Sequence, residues 1–175
     1  PQQRKEYSLS SPYGHLQVAQ KALVIIIPEN SIIPVTITSE SRSHAERIII
    51  IAEAGSRADI TEMAQVGEYK SQIVQIFVHA GAQVRYSSLQ QGESGSHLFS
   101  LKRGEVQEGG LLEWKDYVIR GKLTQLHLQT KLRGRNSRTK KITLFAGKEQ
   151  DQIDIFAEAI HGAPESSSAI YGRGI

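Results

Sequence analysis

The feature that most constrains this fold is a glycine-containing turn that recurs at a nearly constant interval. In each copy a glycine precedes small or polar residues and then a strand-like run, at residues 54–58, 80–84, 108–112 and 133–137. The copies are about 26 residues apart, within the roughly 20 to 50 residues that separate the units of solenoid proteins. Such a unit holds two strands of about nine residues and two turns. The spacing therefore predicts a solenoid of about six to seven coils, each with two strands.

Glycine has a physical reason to recur in these turns. A tight reversal often needs a positive φ, which is costly for a residue with a Cβ atom. We therefore expect a structural role for four glycines, namely Gly55, Gly81, Gly110 and Gly134. An ordinary β-sandwich stays open as an alternative, since its turns come every 8 to 12 residues or so and every third one can look alike.

The apolar residues predict an all-β chain. They alternate with polar residues at 35–38, 58–61 and 126–132, the period of strands with one buried face. Two continuously apolar runs, 23–27 and 48–52, are rich in Ile and Val and predict buried strands. No amphipathic helix of three turns stands out, and residues 154–161 also alternate like a strand.

Composition predicts a single folded domain over residues 1–175. The formal net charge is only +3, and the basic and acidic residues are spread along the chain. There is no apolar run of about 18 residues, as a membrane span needs, and no signal-peptide pattern. We therefore expect a soluble, cytoplasmic protein. The 175 residues include no cysteine, which excludes disulfides and thiolate ligands.

The residue pattern predicts no enzyme and no metal site. No nucleophile motif or phosphate loop occurs. Three carboxylates at Glu149, Asp151 and Asp154 leave a weak calcium hypothesis of the kind expected for a polysaccharide-acting β-helix enzyme. The histidines form no pair at chelating spacing; they are His15, His44, His79, His97, His127 and His161.

A basic segment leaves a second alternative, nucleic-acid binding. Six of the eleven residues at 131–141 are basic, and they are Lys131, Arg133, Arg135, Arg138, Lys140 and Lys141. No aromatic residue lies among them to stack on bases. A solvated turn and sheet edge is therefore the simpler interpretation, because edge charges also limit aggregation.

Seven segments, in order, resemble the core of the SufB/SufD family of iron–sulfur cluster assembly proteins. They are 33–38 (IPVTIT), 47–56 (RIIIIAEAGS), 82–90 (AQVRYSSLQ), 99–103 (FSLKR), 112–114 (LEW), 132–134 (LRG), and Asp154 with 161–168 (HGAPESSS). The resemblance implies a right-handed parallel β-helix that acts as a scaffold in the SUF system. It also implies pairing with a SufB-type chain or with a second copy, alongside the ATPase SufC.

The departures from the family qualify these expectations. The family's N-terminal helical region and its C-terminal segment, which contacts the ATPase, are absent from these 175 residues, so we do not expect this chain alone to bind SufC. SufB-type members carry cysteines tied to cluster building, one of them about where Ala64 stands. A SufD-like role is therefore the better expectation. We expect no cofactor on this chain alone, and an iron–sulfur cluster only transiently in a complex.

The resemblance places three candidate assembly residues, Gln90, Lys102 and His161. An inward-facing Lys102 is costly unless it is paired, which makes it a functional clue. The simpler alternatives are a solvated lysine, a glutamine at a turn end and a hydrogen-bonded structural histidine. Trp114 is expected to pack within the stacked coils.

Overall fold

The computed structural model describes residues 22–175, which form ten strands and no helix. Every strand pairing in this part of the chain is parallel. The strands are β1 (Ala22–Ile27), β2 (Ile32–Ala52), β3 (Arg57–Val78), β4 (Gln83–Gly92), β5 (His97–Val106), β6 (Leu111–Ile119), β7 (Leu123–Leu132), β8 (Arg138–Ala146), β9 (Gln152–His161) and β10 (Ser167–Gly174).

The strands form the two faces of a parallel β-helix. The first face consists of β4, β6, β8 and β10 with the leading halves of β2 and β3. The second face consists of β1, β5, β7 and β9 with the trailing halves of β2 and β3. The long strands β2 and β3 therefore bend from one face to the other. Residues 32–161 make five coils, and β1 and β10 each add part of another, so the predicted solenoid is confirmed at about six turns.

The recurring turn leads from the second face into the first face of the next coil. One residue with a positive φ lies in each copy, at intervals of 25–29 residues, and the series is Asn30, Gly55, Gly81, Gly109, Asn136 and Glu165. Backbone bonds continue the stack through these turns, as from Gly55 N to the Ala80 carbonyl at 2.9 Å. The turns are thus part of the ladder.

Two of the four predicted turn glycines do not have the expected conformation. Gly55 and Gly81 have a φ of 67°, as predicted. In the third turn Gly109, not Gly110, has the positive φ, and in the fourth it is Asn136 instead of Gly134. Gly134 is needed for close approach, since a Cβ there would lie 1.9 Å from Glu108 N.

The interior of the coil holds one main apolar cluster. Alternate residues of both faces point inward, and Ile60, Tyr86 and Trp114 form one interior column on neighbouring strands. Trp114 is fully buried, and its Nε1 donates to Thr130 Oγ1 at 3.0 Å, which confirms its predicted place in the stack. Gly104 makes room for Leu112 and Trp114, because a Cβ there would lie 2.3 Å from Leu112 Cδ2 and 3.3 Å from Trp114 Cζ2.

The two continuously apolar runs behave differently. Both form strands, as predicted, but the expectation that 23–27 is buried is wrong for most of that run. Leu23, Val24 and Ile26 are about half exposed, and Ile27 is buried. The reason is that β1 pairs with β2 alone among the described strands, whereas the run at 48–52 lies between β1 and β3. No helix in residues 22–175 has the length and apolar character needed to cross a membrane.

Candidate functional site inside the coil

A network of charged and polar side chains lies inside the β-helix, beside the apolar cluster. Its ionised members come from both faces and span several coils: Glu46, Glu62, Lys70, Lys102, Asp116 and Lys141. Glu62, Lys102 and Asp116 point inward because each occupies the same alternation as the buried residues of its strand. Glu62, for example, follows the buried Ala58 and Ile60 on β3 at two-residue steps.

Glu62 is the centre of the network. Lys70 Nζ lies 2.9 Å from its Oε1, and the Tyr86 hydroxyl donates to its Oε2 at 2.7 Å. Gln72 Nε2 also donates to Oε1. Lys70 joins a second carboxylate, Glu46, at 2.7 Å, and that residue is partly exposed. The charge of Glu62 is therefore compensated on both oxygens within a fully buried space.

Lys102 links this centre to the next coil. Its Nζ lies 2.5 Å from Asp116 Oδ1 and 4.0 Å from Glu62 Oε2. It also lies 5.2 Å from the ring centroid of Tyr86, within cation–π range. Asp116 Oδ2, by contrast, is buried without a hydrogen-bond partner. Among the described residues, Lys102 therefore contributes most to balancing the negative charge of Asp116.

The pKa values of the two buried carboxylates shift in opposite directions, although burial raises both. Burial alone raises the pKa of Glu62, but Lys102 and Lys70, helped by the Tyr86 hydroxyl, outweigh it and lower the pKa from 4.5 to about 2. Burial raises the pKa of Asp116, and the charge of Lys102 offsets this only in part. The difference follows from the number of donors: Glu62 has several, whereas Asp116 has one.

Lys141 extends the line of buried charges into β8. Its Nζ donates to the backbone carbonyls of Leu128, at 3.0 Å, and of Glu158. Burial lowers its pKa from 10.5 to about 8, against the raising effects of Glu158 and Asp116. Carbonyl oxygens satisfy the ammonium group without cancelling its charge, so Lys141 is the least compensated cation of the network.

The structure brings together two of the three predicted assembly residues. Gln90 lies in β4 and accepts from Lys70 Nζ at 3.2 Å, so it is neither at a turn end nor solvated. Lys102 is buried and paired, which excludes the solvated-lysine interpretation. Ala64 is the register partner of Gln90 on β3 and is itself buried, so this position borders the same network.

Sequence reasoning missed Glu62, Lys70, Asp116 and Lys141. For Asp116 the sequence does contain a signal, because this residue continues the alternation of Leu112 and Trp114 along β6. A charged residue on the apolar side of an alternating strand is the pattern that predicts a buried network. Lys70 lacks this signal, since the alternation stops at residues 67–69 and residues 71–76 after it are buried on both sides of the strand.

His161 lies apart from the interior network, at the end of β9. It continues the inward column of Val106 and Leu132, but it is exposed. Its ring nitrogens lie 2.8 Å from Ser166 Oγ and 2.9 Å from Ser168 Oγ. The hydrogen-bonded role that the sequence left open is present, in a position that a partner molecule can reach.

The basic segment 131–141 does not form one surface. Lys131 lies on the second face, Arg138 and Lys140 lie on the first, and Lys141 points inward. Arg135 is paired with Glu165 at the turn. The proposed stripe for nucleic acid is therefore divided among different sides of the coil.

The carboxylates of the calcium hypothesis are not grouped with other ligands. In residues 22–175 no group of three or more His, Asp and Glu side chains is placed to hold a metal ion. Asp151 instead accepts from the backbone N–H of Lys148 at 2.9 Å. His15 lies outside the described residues.

The buried network is suited to holding consecutive coils together in one register. Its salt bridges and hydrogen bonds connect strands of both faces, and Glu62, Lys70 and Lys102 have no exposed surface. An unpaired charge in this space is costly, so a shift of one strand against the next is disfavoured. The arrangement adds a polar network to the apolar cluster inside the coil.

Comparison with known proteins agrees with this architecture. Residues 35–175 match the family described as SUF system FeS cluster assembly, SufBD core domain. Iron–sulfur cluster assembly SufBD family proteins of Staphylococcus saprophyticus, Staphylococcus epidermidis and Staphylococcus aureus are each 34% identical over 145 residues. The match covers 79% of this chain and 31% of each relative, so the chain spans about a third of their length. The chain belongs to the SufBD family, and the coil described above is its core domain.

Proposed function

We propose that this chain is a non-catalytic scaffold in iron–sulfur cluster assembly, working in a pair with a SufB-type chain. The observation that carries the proposal is the match of residues 35–175 to the SufBD core domain, and apolar side chains exposed on β9 and β10 support it. Ile170 continues the interior column of Trp114 and Lys141, yet 46% of its surface is exposed. An inward-facing apolar side chain with this exposure offers a contact to a following strand of the protein or to a partner chain.

The same coil has further groups that favour pairing. Phe156, Ile160 and Tyr171 are all exposed, at 52%, 41% and 58%. Within the described residues, β9 and β10 each have a hydrogen-bonded neighbour on one side only. Such edges present N–H and C=O groups that pair readily with a strand from another chain.

In this proposal His161 is a metal ligand at the pairing surface. Imidazole is a common ligand of iron and other transition metals, and here both ring nitrogens are held by serine hydroxyls that can give way to a metal. The nascent cluster is cargo in this proposal. His161 offers one ligand for it at the contact between the two chains.

The composition of these 175 residues favours a partner that carries cysteines. Iron–sulfur clusters are usually held by thiolates, and these 175 residues contain none. A cysteine-bearing partner completes the ligand set, which gives this chain the SufD-like part in the pair. The names of the relatives, all iron–sulfur cluster assembly proteins, support the pathway.

Co-purification with the SufB-type chain from the same source tests the pairing. We expect a stable complex that is lost in Ile170→Asp with Tyr171→Asp, because both substitutions place charge in the contact. Met63→Asp is the matched control, since Met63 is 45% exposed on the outer side of the first face, away from the last coil. Equal binding by both variants would overturn the proposed surface.

A second measurement tests His161 separately. Iron and sulfide in the purified pair should fall in His161→Ala, while the pairing itself stays intact. A complex with unchanged iron and sulfide would remove His161 from the proposal and leave the scaffold part standing. Formation of a dimer of this chain alone, seen by light scattering, would replace the SufB-type partner with a second copy.

A further inference from the structure

A groove lies at the corner of the β-helix opposite the glycine-containing turns. Three stacked connections form it, namely 93–96 between β4 and β5, 120–122 between β6 and β7, and 147–151 between β8 and β9. The groove has a volume of about 890 Å³. This lies in the range of cavities that bind small molecules, and the groove shares no residue with the last-coil surface or the interior network.

The groove has an excess of uncompensated positive charge. Arg120, Lys122 and Lys148 line it, and so do Glu149 and Asp151. Both acids contact Lys148: Glu149 lies 3.4 Å from its Nζ, and Asp151 accepts from its backbone N–H. Among the described residues, no carboxylate lies within 4.0 Å of the charged groups of Arg120 or Lys122. The three basic and two acidic side chains give the lining a net charge of +1, and Arg120 and Lys122 are its cations without a carboxylate partner among the described residues.

Two buried hydroxyl groups adjoin the same corner without hydrogen-bond partners. They belong to Ser96 and Thr124, which are fully buried beside the lining residues of the turns. Both flank Gly121, where a Cβ would lie 2.9 Å from Thr124 Oγ1 and 3.4 Å from Ser96 Oγ. Neither residue is among those that line the groove, so the direct contacts to a ligand come from the basic side chains.

The lining also restricts the chemistry of the ligand. Leu123 is the single apolar side chain among the residues that line the groove, and no Phe, Tyr or Trp lines it. The groove therefore offers no surface for a flat apolar ring. Arginine and lysine with hydroxyl donors are the groups that bind phosphate oxygens, arginine in a bidentate manner.

We propose that this corner groove binds a small phosphate-bearing molecule through Arg120 and Lys122. The phosphate group sits between the two cations. Glu149 at the rim opposes binding, because its charge lies on the same groove. The site is independent of the pairing surface, so it stands or falls separately from the proposed function.

Titration with pyrophosphate tests this site, followed by amide chemical shifts at constant ionic strength. We expect saturable shifts confined to residues 93–97, 120–124 and 147–152. Arg120→Gln with Lys122→Gln should weaken binding by about tenfold or more, the effect expected when charge-assisted hydrogen bonds are lost. Glu149→Gln should tighten it. The matched control is Arg138→Gln with Lys115→Gln on the first face, which should leave the affinity unchanged.

Two further ligands test which kind of phosphate compound the groove prefers. Inorganic phosphate and glycerol 3-phosphate, titrated in the same way, show whether a free phosphate or a phosphate ester is preferred. Shifts spread over all basic side chains, or an equal loss of affinity in the control variant, would mean nonspecific attraction and would overturn the proposal. No shift with any of the three ligands would overturn it as well.

Discussion

Lys102 Nζ lies 2.5 Å from Asp116 Oδ1 in the interior of the β-helix, where neither side chain is accessible to water. The lysine comes from β5 on the second face, and the aspartate comes from β6 on the first face of the next coil. The bond therefore crosses the interior and connects consecutive coils. Because each partner compensates the other in a space without water, removing only one of them has a large effect.

Lys102→Ala is expected to lower the free energy of unfolding by about 3–5 kcal/mol, since Asp116 is left charged and buried without its partner. Replacing both residues, by Lys102→Met with Asp116→Leu, should restore stability to within about 1 kcal/mol of the original protein. Urea unfolding followed by circular dichroism measures both changes.

The matched control for this pair is Lys115→Ala, one position before Asp116 on the outer side of β6. It should change stability by less than about 0.5 kcal/mol, as is usual for a surface lysine. A double variant as unstable as Lys102→Ala would show that packing, and not the unpaired charge, dominates at this site.

The lowered pKa of Glu62 predicts that the folded protein loses stability in acid. Its pKa is about 2 in the folded protein and near 4.5 when unfolded, so the unfolded chain binds the proton first as the pH falls. The stabilisation, on the order of 3 kcal/mol, is complete above about pH 5 and is lost as the pH falls toward 2. Urea unfolding between pH 5 and 2 should show a shallower decline in Glu62→Gln; an identical slope in both proteins would contradict the assignment.

The lowered pKa of Lys141 predicts a change in stability on the alkaline side. Its pKa is about 8 in the folded protein and 10.5 when unfolded, so the folded protein binds fewer protons between these values. Stability should therefore rise as the pH increases from about 8 toward 10. Lys141→Met should abolish this rise, which unfolding measurements at pH 7.5 and 9.5 can detect. Loss of the rise in Lys140→Met, the exposed neighbour, would argue against Lys141 as its source.

Gly104→Ala is expected to disturb the packing around Trp114. The added methyl group would lie 2.3 Å from Leu112 Cδ2 and 3.3 Å from the indole, so the interior must shift. Such overpacking costs about 1–3 kcal/mol. Trp114 is the single tryptophan, so its fluorescence reports the change directly. Gly172→Ala, where a Cβ meets nothing within 4 Å, should leave both emission and stability unchanged.

The turn residues show which features of the fold the sequence pattern predicts and which it does not. Spacing located the turns to within two residues, because one coil must return the chain to the next strand at a fixed distance. It did not locate the residue with positive φ in the fourth turn, where Asn136 takes the position expected near Gly134. Asparagine tolerates this conformation, so the glycine that spacing pointed to was free to serve close packing.

The sequence by itself determined the class of structure: period-two strands, a turn about every 26 residues, and seven family-like segments in order. It did not determine which way Lys102 points, since Leu101, Lys102 and Arg103 follow one another and any register of alternation is consistent with them. Only the tertiary structure decided this, because Asp116 and Glu62 come from other strands. Local alternation depends on neighbours in sequence, whereas the compensation of a buried charge depends on neighbours in space.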